Sequence, residues 1–310
     1  MKQNAIAIMA LACLLLSVAP TYAQNQEQKA ILVTGATTGI GRNLAETLAA
    51  EGHFVYAGAR KQSDMDELNS IDNVMAVRLD VTKQGDIDAA VELITNEGRG
   101  LYGLVNNAGV AVVAPMIEVS EDDMQFQMNV NLFGPYRVTR AFAPLIIESK
   151  GRITTTGSIS GILSRPLLGP YAMSKHAIEG YTDSLAVEME KFAVAVSVVE
   201  PGNYNSAIGE SRMQRSKYNS AGSLFTEEMT ARTQGDGSRS QYKEPDEVSA
   251  AFMHFLFDDN PQRRYMVVPN ENEANITISK ALMELVQLNE KQQFTYSRDE
   301  LVAMLDKALN

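Results

Sequence analysis

The sequence contains one cysteine and three histidines among 310 residues. The cysteine, Cys13, lies in an N-terminal segment that we expect to be removed, so the mature chain would have neither a disulfide nor a thiol nucleophile. With so few of these ligands, no metal site is expected. The serines lack a G-x-S-x-G motif, which argues against a serine hydrolase. The formal net charge of −11 argues against nucleic acid as a partner.

Only one long apolar run is present, and it stands at the N-terminus. Residues 5–18 are apolar except for Ser17, Lys2 precedes them, and a stretch of small residues ends at Ala23. This order is typical of a secretory signal peptide. We therefore expect a signal peptide at residues 1–23 and an exported protein, periplasmic if its source is bacterial. The alternative is an uncleaved segment in which residues 5–18 hold the protein at a membrane.

The first strand-like run leads into a glycine-rich turn. Residues 30–33 are apolar, and the turn that follows carries Gly35, Gly39 and Gly41 before a helical pattern begins. Glycines let the backbone approach a pyrophosphate, and the N-terminus of the helix stabilises its charge. The turn therefore predicts a dinucleotide-binding site. The alternative is a tight strand-to-helix connection with no ligand.

The second strand-like run, residues 54–59, ends at a basic pair. In dinucleotide-binding folds an acid at this point binds the ribose 2′-hydroxyl, whereas an arginine accepts a 2′-phosphate. Here Ala59 stands where the acid would be, and Arg60 follows it. The sequence therefore favours NADP(H), with NAD(H) as the second choice. The alternative is that Arg60 is a solvated charge.

Further strand-like runs alternate with helical patterns. They cover residues 74–79, 102–105, 152–156, 194–199 and 265–268. This alternation predicts an α/β fold with a doubly wound parallel sheet, in which ligands bind beyond the carboxyl ends of the strands. Asp80 and Asn107 fall at such ends. The alternative is that each caps the next helix.

A tyrosine and a lysine stand four residues apart, at Tyr171 and Lys175, and Ser158 lies thirteen residues before the tyrosine. On a helix, positions i and i+4 share a face. An ammonium beside a phenol lowers the pKa of the phenol, which would let Tyr171 exchange a proton near neutral pH. The alternative is a surface pair on an amphipathic helix.

Seven motifs follow one another along the chain: T-G-x-x-x-G-x-G at 34–41, Asp80-Val81, N-N-A-G at 106–109, N-x-x-G at 131–134, Ser158, Y-x-x-x-K at 171–175 and Pro201-Gly202. In this order and at this spacing they resemble the short-chain dehydrogenase/reductase family over about residues 29–270. Residues 198–204 are similar to its steroid and retinol dehydrogenase branch.

The resemblance implies an oxidoreductase that interconverts an alcohol and a ketone or aldehyde. It implies Tyr171 as general acid/base, Lys175 as the group that lowers its pKa, Ser158 as the donor to the carbonyl oxygen and Asn131 as the support of the lysine. It also implies a set of cofactor-binding residues: Gly35, Thr37, Thr38, Gly39, Ile40, Arg60, Asp80, Val81, Asn107, Ala108, Gly109, Tyr171, Lys175, Pro201, Gly202 and Tyr204. The alternatives are a non-catalytic NADP-binding redox sensor and an epimerase on the same fold.

The same resemblance predicts one domain over residues 24–310. Residues 203–244 would form a substrate lid, since long insertions are often functional, and residues 275–310 a helical C-terminal extension. Apolar residues within the lid favour a hydrophobic substrate, although they could equally pack the lid on the body. The family pairs through helices that correspond to residues 131–147 and 171–191, so a homodimer or homotetramer is expected.

Overall fold

The computed structural model of the protein describes residues 28–210, 222–233 and 238–309. The predicted signal peptide at residues 1–23 lies outside the described residues, as do parts of the predicted lid. The described residues form a Rossmann-like domain with helices on both faces of one sheet.

The sheet has seven parallel strands in the order β3-β2-β1-β4-β5-β6-β7. Their bounds are β1 Ala30–Val33, β2 Phe54–Ala59, β3 Val74–Arg78, β4 Gly103–Asn106, β5 Arg152–Thr156, β6 Ala195–Pro201 and β7 Arg264–Val267. The strand order reverses between β1 and β4, which creates the crevice in which this fold binds ligands. The prediction of a doubly wound parallel sheet is therefore confirmed.

Helices α1 to α8 lie between successive strands, and α9 and α10 follow the last strand. Their bounds are α1 Gly39–Ala50, α2 Gln62–Leu68, α3 Gln84–Asn96, α4 Glu121–Asn131, α5 Phe133–Glu148, α6 Gly169–Glu190, α7 Thr226–Thr233, α8 Asp246–Phe257, α9 Glu271–Asn289 and α10 Arg298–Leu309. A 3₁₀ turn at Ile159–Gly161 joins β5 to the segment before α6.

The two faces of the sheet bury separate cores because neighbouring residues of a strand point to opposite sides. In β1, Ile31 and Val33 belong to one core, whereas Leu32 belongs to the other. The first core contains residues of α1 and α8, including Leu44, Leu48 and Phe252. The second contains residues of α3 and α5, including Ile87 and Phe142. Burial on both faces explains why strands such as β1, with the sequence A-I-L-V, are continuous apolar runs and do not alternate with polar residues.

The C-terminal extension is helical, as predicted, and consists of most of α9 followed by α10. Asn270 caps α9, because its side chain accepts a hydrogen bond from the Glu273 backbone N–H at 3.0 Å. Within the described part of the chain, α10 buries none of its side chains. None of the helices described in residues 28–309 is long and apolar enough to span a bilayer.

Candidate active site

A cleft of about 830 Å³ opens along the carboxyl ends of the strands. Sixteen of the residues predicted to form the site line it: Gly35, Thr37, Thr38, Ile40, Arg60, Asp80, Val81, Asn107, Ala108, Gly109, Ser158, Tyr171, Lys175, Pro201, Gly202 and Tyr204. The two predicted residues outside this lining are Gly39 and Asn131. The structure therefore brings the predicted nucleotide and catalytic residues to one place.

The glycine turn after β1 approaches neighbouring loops too closely for side chains. A Cβ on Gly35, whose φ is +64°, would lie 2.8 Å from the Ala108 Cα, and one on Gly39, with φ +54°, would lie 2.9 Å from the Ser206 Cβ. Left-handed backbone at both positions also favours glycine. The turn thus presents bare backbone to the cleft immediately before α1, as the binding of a phosphate group requires.

Asn107 joins the ends of three strands. Its side-chain amide donates to the Thr34 and Gly35 carbonyls at 3.1 Å each, and its Oδ1 accepts from the Thr156 hydroxyl at 3.2 Å. The Thr34 hydroxyl in turn accepts from the Asn107 and Ala108 backbone N–H groups at 2.9 and 3.0 Å. The hydrogen bonds of Asn107 therefore fix the relative positions of the strand ends that border the cleft. The sequence did not indicate that Thr34 and Thr156 belong to this hydrogen-bond network.

Tyr171 and Lys175 lie in the first two turns of α6, whose start at Gly169 is followed by Pro170, a residue that the first turn of a helix tolerates. Lys175 is buried, and its ammonium donates to the Thr156 carbonyl at 2.6 Å. The Lys175 Nζ lies 5.6 Å from the centroid of the Tyr171 ring. The alternative of a surface pair is therefore wrong.

Burial lowers the pKa of Lys175 to about 8, although the nearby Glu179 carboxylate opposes the shift. The ammonium is thus held in a poorly solvated position beside the phenol of Tyr171. At neutral pH it still carries its charge, since about 8 lies above 7. A charge in such surroundings interacts with its neighbours more strongly than one in water.

Ser158 and Ser160 both line the cleft, but their surroundings differ. The Ser158 Oγ accepts from the Ser160 backbone N–H at 3.1 Å and lies 3.5 Å from the Pro201 carbonyl oxygen. Ser158 is buried, follows the end of β5 by two residues and lines the same cleft as Tyr171. The arrangement joins a hydroxyl donor, a phenol and an ammonium around one region of the cleft.

Residues 29–217 match the family described as short chain dehydrogenase. The chain belongs to this family. A short-chain dehydrogenase from Streptomyces avermitilis has a similar crystal structure, with a TM-score of 0.72 and 27% identity, and the alignment covers 86% of this chain and 96% of that one.

Two curated relatives carry names that state an activity. The mitochondrial D-beta-hydroxybutyrate dehydrogenase of Bos taurus is 39% identical over 200 residues, which span 60% of this chain and 58% of that protein. A 3beta-hydroxysteroid dehydrogenase of Caenorhabditis elegans is 31% identical over 263 residues, which span 76% of this chain and 68% of that protein. The match to the bovine relative thus leaves two fifths of its length uncovered.

Charged side chains line the β2 end of the cleft. Arg60 is exposed and lines the cleft, and Asp64 at the start of α2 lines it too. Burial works against ionisation of Asp80, but two hydrogen bonds from Thr82, at 3.0 and 2.7 Å, and the positive charge of Arg60 outweigh it, so the pKa of Asp80 lies below its ordinary value. Asp64 was missed because α2 shows no periodic signal.

Asn131 makes a different set of contacts from those expected. Its Oδ1 accepts from the Val110 backbone N–H at 2.9 Å, and its Nδ2 donates to the Val110 carbonyl at 3.0 Å and to the Ser174 Oγ at 3.1 Å. The Ser174 hydroxyl donates to the Tyr171 carbonyl at 2.7 Å. The Asn131 amide therefore fixes the backbone that carries Tyr171. Its support of Lys175 stays a prediction.

Tyr204 was predicted to bind the cofactor, but its phenol turns to the protein. The hydroxyl donates to the Glu247 carboxylate on α8, and burial, together with that carboxylate, raises the pKa of Tyr204 far above its ordinary value. The side chain belongs to the core on the α1 face. Tyr204 also lines the cleft, so its contact with the cofactor, through atoms other than the hydroxyl, stays a prediction.

Sequence reasoning also missed three arginines that line the cleft: Arg165, Arg232 and Arg239. Arg232 and Arg239 lie in the predicted lid, where the sequence has no periodic pattern that would indicate which residues face the cleft. Among the residues that the structure describes, no group of three or more histidine, cysteine or acidic side chains is placed to hold a metal ion.

Proposed function

We propose that the protein is a nicotinamide-dependent oxidoreductase that interconverts an alcohol and the matching ketone or aldehyde. The observation that carries the proposal is the buried Lys175 ammonium beside Tyr171, in a cleft that also holds Ser158 and the glycine turn. The names of the bovine and nematode relatives support the reaction class, since a hydroxybutyrate and a 3-hydroxysteroid are both secondary alcohols.

The glycine turn after β1 fits a dinucleotide, because Gly35 and the N-terminal end of α1 border the cleft, where backbone N–H groups can approach its phosphates. Gly35 and Asn107 lie at the switch point between β1 and β4, and Lys175 lines the same cleft, where it would meet the nicotinamide ribose. When bound, the nicotinamide supplies or accepts a hydride.

Residues of the chain would stabilise the charge on the substrate oxygen and transfer a proton to or from it. During reduction, negative charge develops on that oxygen, and preorganised donors stabilise it. Tyr171 would donate the proton, and Ser158 would donate a hydrogen bond to the same oxygen. The Lys175 charge would favour the phenolate that Tyr171 leaves behind. In alcohol oxidation the same groups act in reverse, with Tyr171 as the proton acceptor.

NADP(H) is the cofactor that we propose, with NAD(H) as the poorer ligand. Arg60 supports this choice because its guanidinium lines the β2 end of the cleft, where the ribose of a dinucleotide lies in this fold. Ala59 precedes it in place of an acid. Asp64, which lines the same end, would favour a 2′-hydroxyl and so works against the preference.

We also propose a homo-oligomer that forms through α5 and α6. Phe133 and Tyr136 on α5, and Met173 and Val187 on α6, are large apolar side chains that are exposed in the single chain. Burial of such side chains drives association. Sedimentation velocity should show a dimer or tetramer, and Val187→Asp should shift it toward the monomer. A wild-type monomer at micromolar concentration would contradict this proposal.

The reaction is tested by Tyr171→Phe, which removes one hydroxyl. We expect turnover of a ketone with NADPH to fall at least about 100-fold, since general acid catalysis contributes about 10²–10⁴ in rate, while the dissociation constant of NADPH changes less than about threefold. Tyr181→Phe, the same change ten residues along α6, is the matched control and should retain turnover. Unchanged turnover in the Tyr171 variant would refute the assigned proton donor.

A further inference from the structure

Arg239 is a cation buried at the catalytic side of the cleft. Only 9% of its surface is exposed. Its Nε donates to the Tyr204 carbonyl at 3.0 Å, and its Nη2 donates to the Asn203 Oδ1 at 3.0 Å. The ring of Tyr242 lies 4.4 Å from the guanidinium carbon. All of these partners are neutral, and they use two of the five N–H donors that a guanidinium carries.

Among the described residues, no carboxylate forms an ion pair with Arg239. Glu273 is near enough to favour its charge, but the Glu273 oxygens already accept from the Asn203 backbone N–H and side-chain amide, each at 2.9 Å. Arg232 is also near, and its positive charge disfavours the charged form of Arg239. A buried charge without a paired counter-charge is costly, so an anion in the cleft would compensate Arg239.

The position of Arg239 indicates which ligand supplies that anion. Asn203 and Tyr204, which hold the guanidinium, follow β6, and Tyr171 lies close enough for its charge to influence Arg239. The acids Asp64 and Asp80 line the end of the cleft next to β2 and β3, where Arg60 and Lys61 offset their charge. Arg239 therefore places a positive charge near Tyr171, where the reacting carbonyl would lie, although the whole chain carries a net charge of −11.

We propose that the substrate carries a carboxylate in addition to its alcohol or ketone, and that Arg239 binds this carboxylate while Tyr171 and Ser158 bind the reacting oxygen. Asn203 and Tyr204 hold the guanidinium in place, and its remaining N–H groups donate to the carboxylate, a pairing that suits the planar geometry of both groups. This inference rests on the proposed function and narrows the substrate to hydroxy acids and oxo acids. It replaces the uncharged hydrophobic substrate favoured by the lid sequence.

The test compares each oxo acid with its methyl ester, a pair that differs in charge but not in the reacting ketone. Acids with one to four carbons between the ketone and the carboxylate cover the possible spacings. With NADPH and the full chain, we expect kcat/KM for the best acid to exceed that of its ester at least about 100-fold, because a desolvated charge pair is worth a factor of this size. Arg239→Gln should reduce this ratio at least tenfold, and Arg239→Lys should restore part of it. Arg165→Gln, the same change at an exposed arginine of the cleft, should alter the ratio less than about twofold.

Several outcomes would overturn the proposal, and they are distinct from failure of the proposed function. Turnover of esters as fast as acids by the wild-type protein would overturn it without any variant. If Arg239→Gln reduced kcat/KM equally for acid and ester, Arg239 would only stabilise the loop after β6. Equal weakening of NADPH and NADH binding in that variant, with the acid-to-ester ratio intact, would assign Arg239 to the cofactor. If the wild-type protein turned over neither acid nor ester with either cofactor, the oxidoreductase assignment itself would be wrong.

Discussion

Replacement of Lys175 by methionine should make the protein more stable and nearly inactive. The side chain is buried, and burial lowers its pKa from 10.5 to about 8. At about 1.4 kcal/mol for each tenfold change in an ionisation equilibrium, holding this ammonium charged at pH 7 costs the folded state about 3 kcal/mol. Methionine has a similar length and no charge, so Lys175→Met removes that cost.

The substitution also loses a favourable contact. The Lys175 ammonium donates to the Thr156 carbonyl at 2.6 Å, and a buried carbonyl left without its donor costs about 1–2 kcal/mol. The two contributions have opposite signs, and the larger one favours the variant. The net expectation at pH 7 is therefore a free energy of unfolding about 1–2 kcal/mol above that of the wild type.

The pH dependence separates this cause from better packing. A lysine whose pKa is lowered by folding contributes stability above its unfolded pKa of 10.5, and that contribution is lost as the pH falls through about 8. The advantage of Lys175→Met over the wild type should therefore grow by about 2–3 kcal/mol between pH 10 and pH 7. Below pH 7 the advantage should stay constant.

Urea unfolding followed by circular dichroism, without cofactor, measures these free energies at each pH. Lys191→Met, at the exposed end of the same helix, is the matched control and should stay within about 0.5 kcal/mol of the wild type. Turnover by Lys175→Met should fall at least about 100-fold. A variant that is less stable than the wild type at pH 7, or whose difference from it ignores pH, would refute the reasoning.

Two further predictions concern other charged groups. Arg60→Asp should weaken the binding of NADPH at least about 30-fold and that of NADH less than about fivefold, since only NADPH has a 2′-phosphate. Fluorescence titration measures both dissociation constants. Equal losses of affinity would mean that Arg60 does not contact the phosphate. Burial and the neighbouring Glu200 raise the pKa of Glu179 to about 7, so this group stabilises the fold at low pH and loses that contribution as the pH rises through neutrality. Glu179→Gln should remove this loss, so the free energy of unfolding of the variant should rise by about 1 kcal/mol relative to the wild type between pH 5 and pH 8, after allowance for solvent screening. Urea unfolding at each pH measures this change. A difference between the two proteins that does not change with pH would contradict the prediction.

Much of the fold could be predicted from the sequence because its signals are local. Most strands are short runs of apolar or β-branched residues, and polar or glycine residues follow them at the edge where the sheet topology brings them together. Tyr171 and Lys175 needed only the repeat of a helix to be placed on one face. Gly35 and Gly39 were recognised by type, and the structure adds the close contacts that exclude a Cβ.

The remaining parts of the site depend on contacts between distant segments. Tyr204 meets Glu247, which is 43 residues away, and Asn131 meets Ser174, also 43 residues away. Nothing local in the sequence signals either pair, so the hydrogen bond from the Tyr204 hydroxyl to Glu247 could not be predicted. Arg239 lies in an irregular segment without periodicity, where its burial could not be foreseen.

The most direct test of the account follows the hydride itself. The wild-type protein is incubated with NADPH carrying deuterium at C4 of the nicotinamide, on either face, and with ketones of graded size and charge. Mass spectrometry and proton NMR then locate the label. We predict one deuterium on the carbinol carbon of the alcohol from one of the two labelled cofactors, at a rate that Tyr171→Phe reduces at least about 100-fold. Oxidation of NADPH that leaves every alcohol unlabelled at that carbon would contradict it.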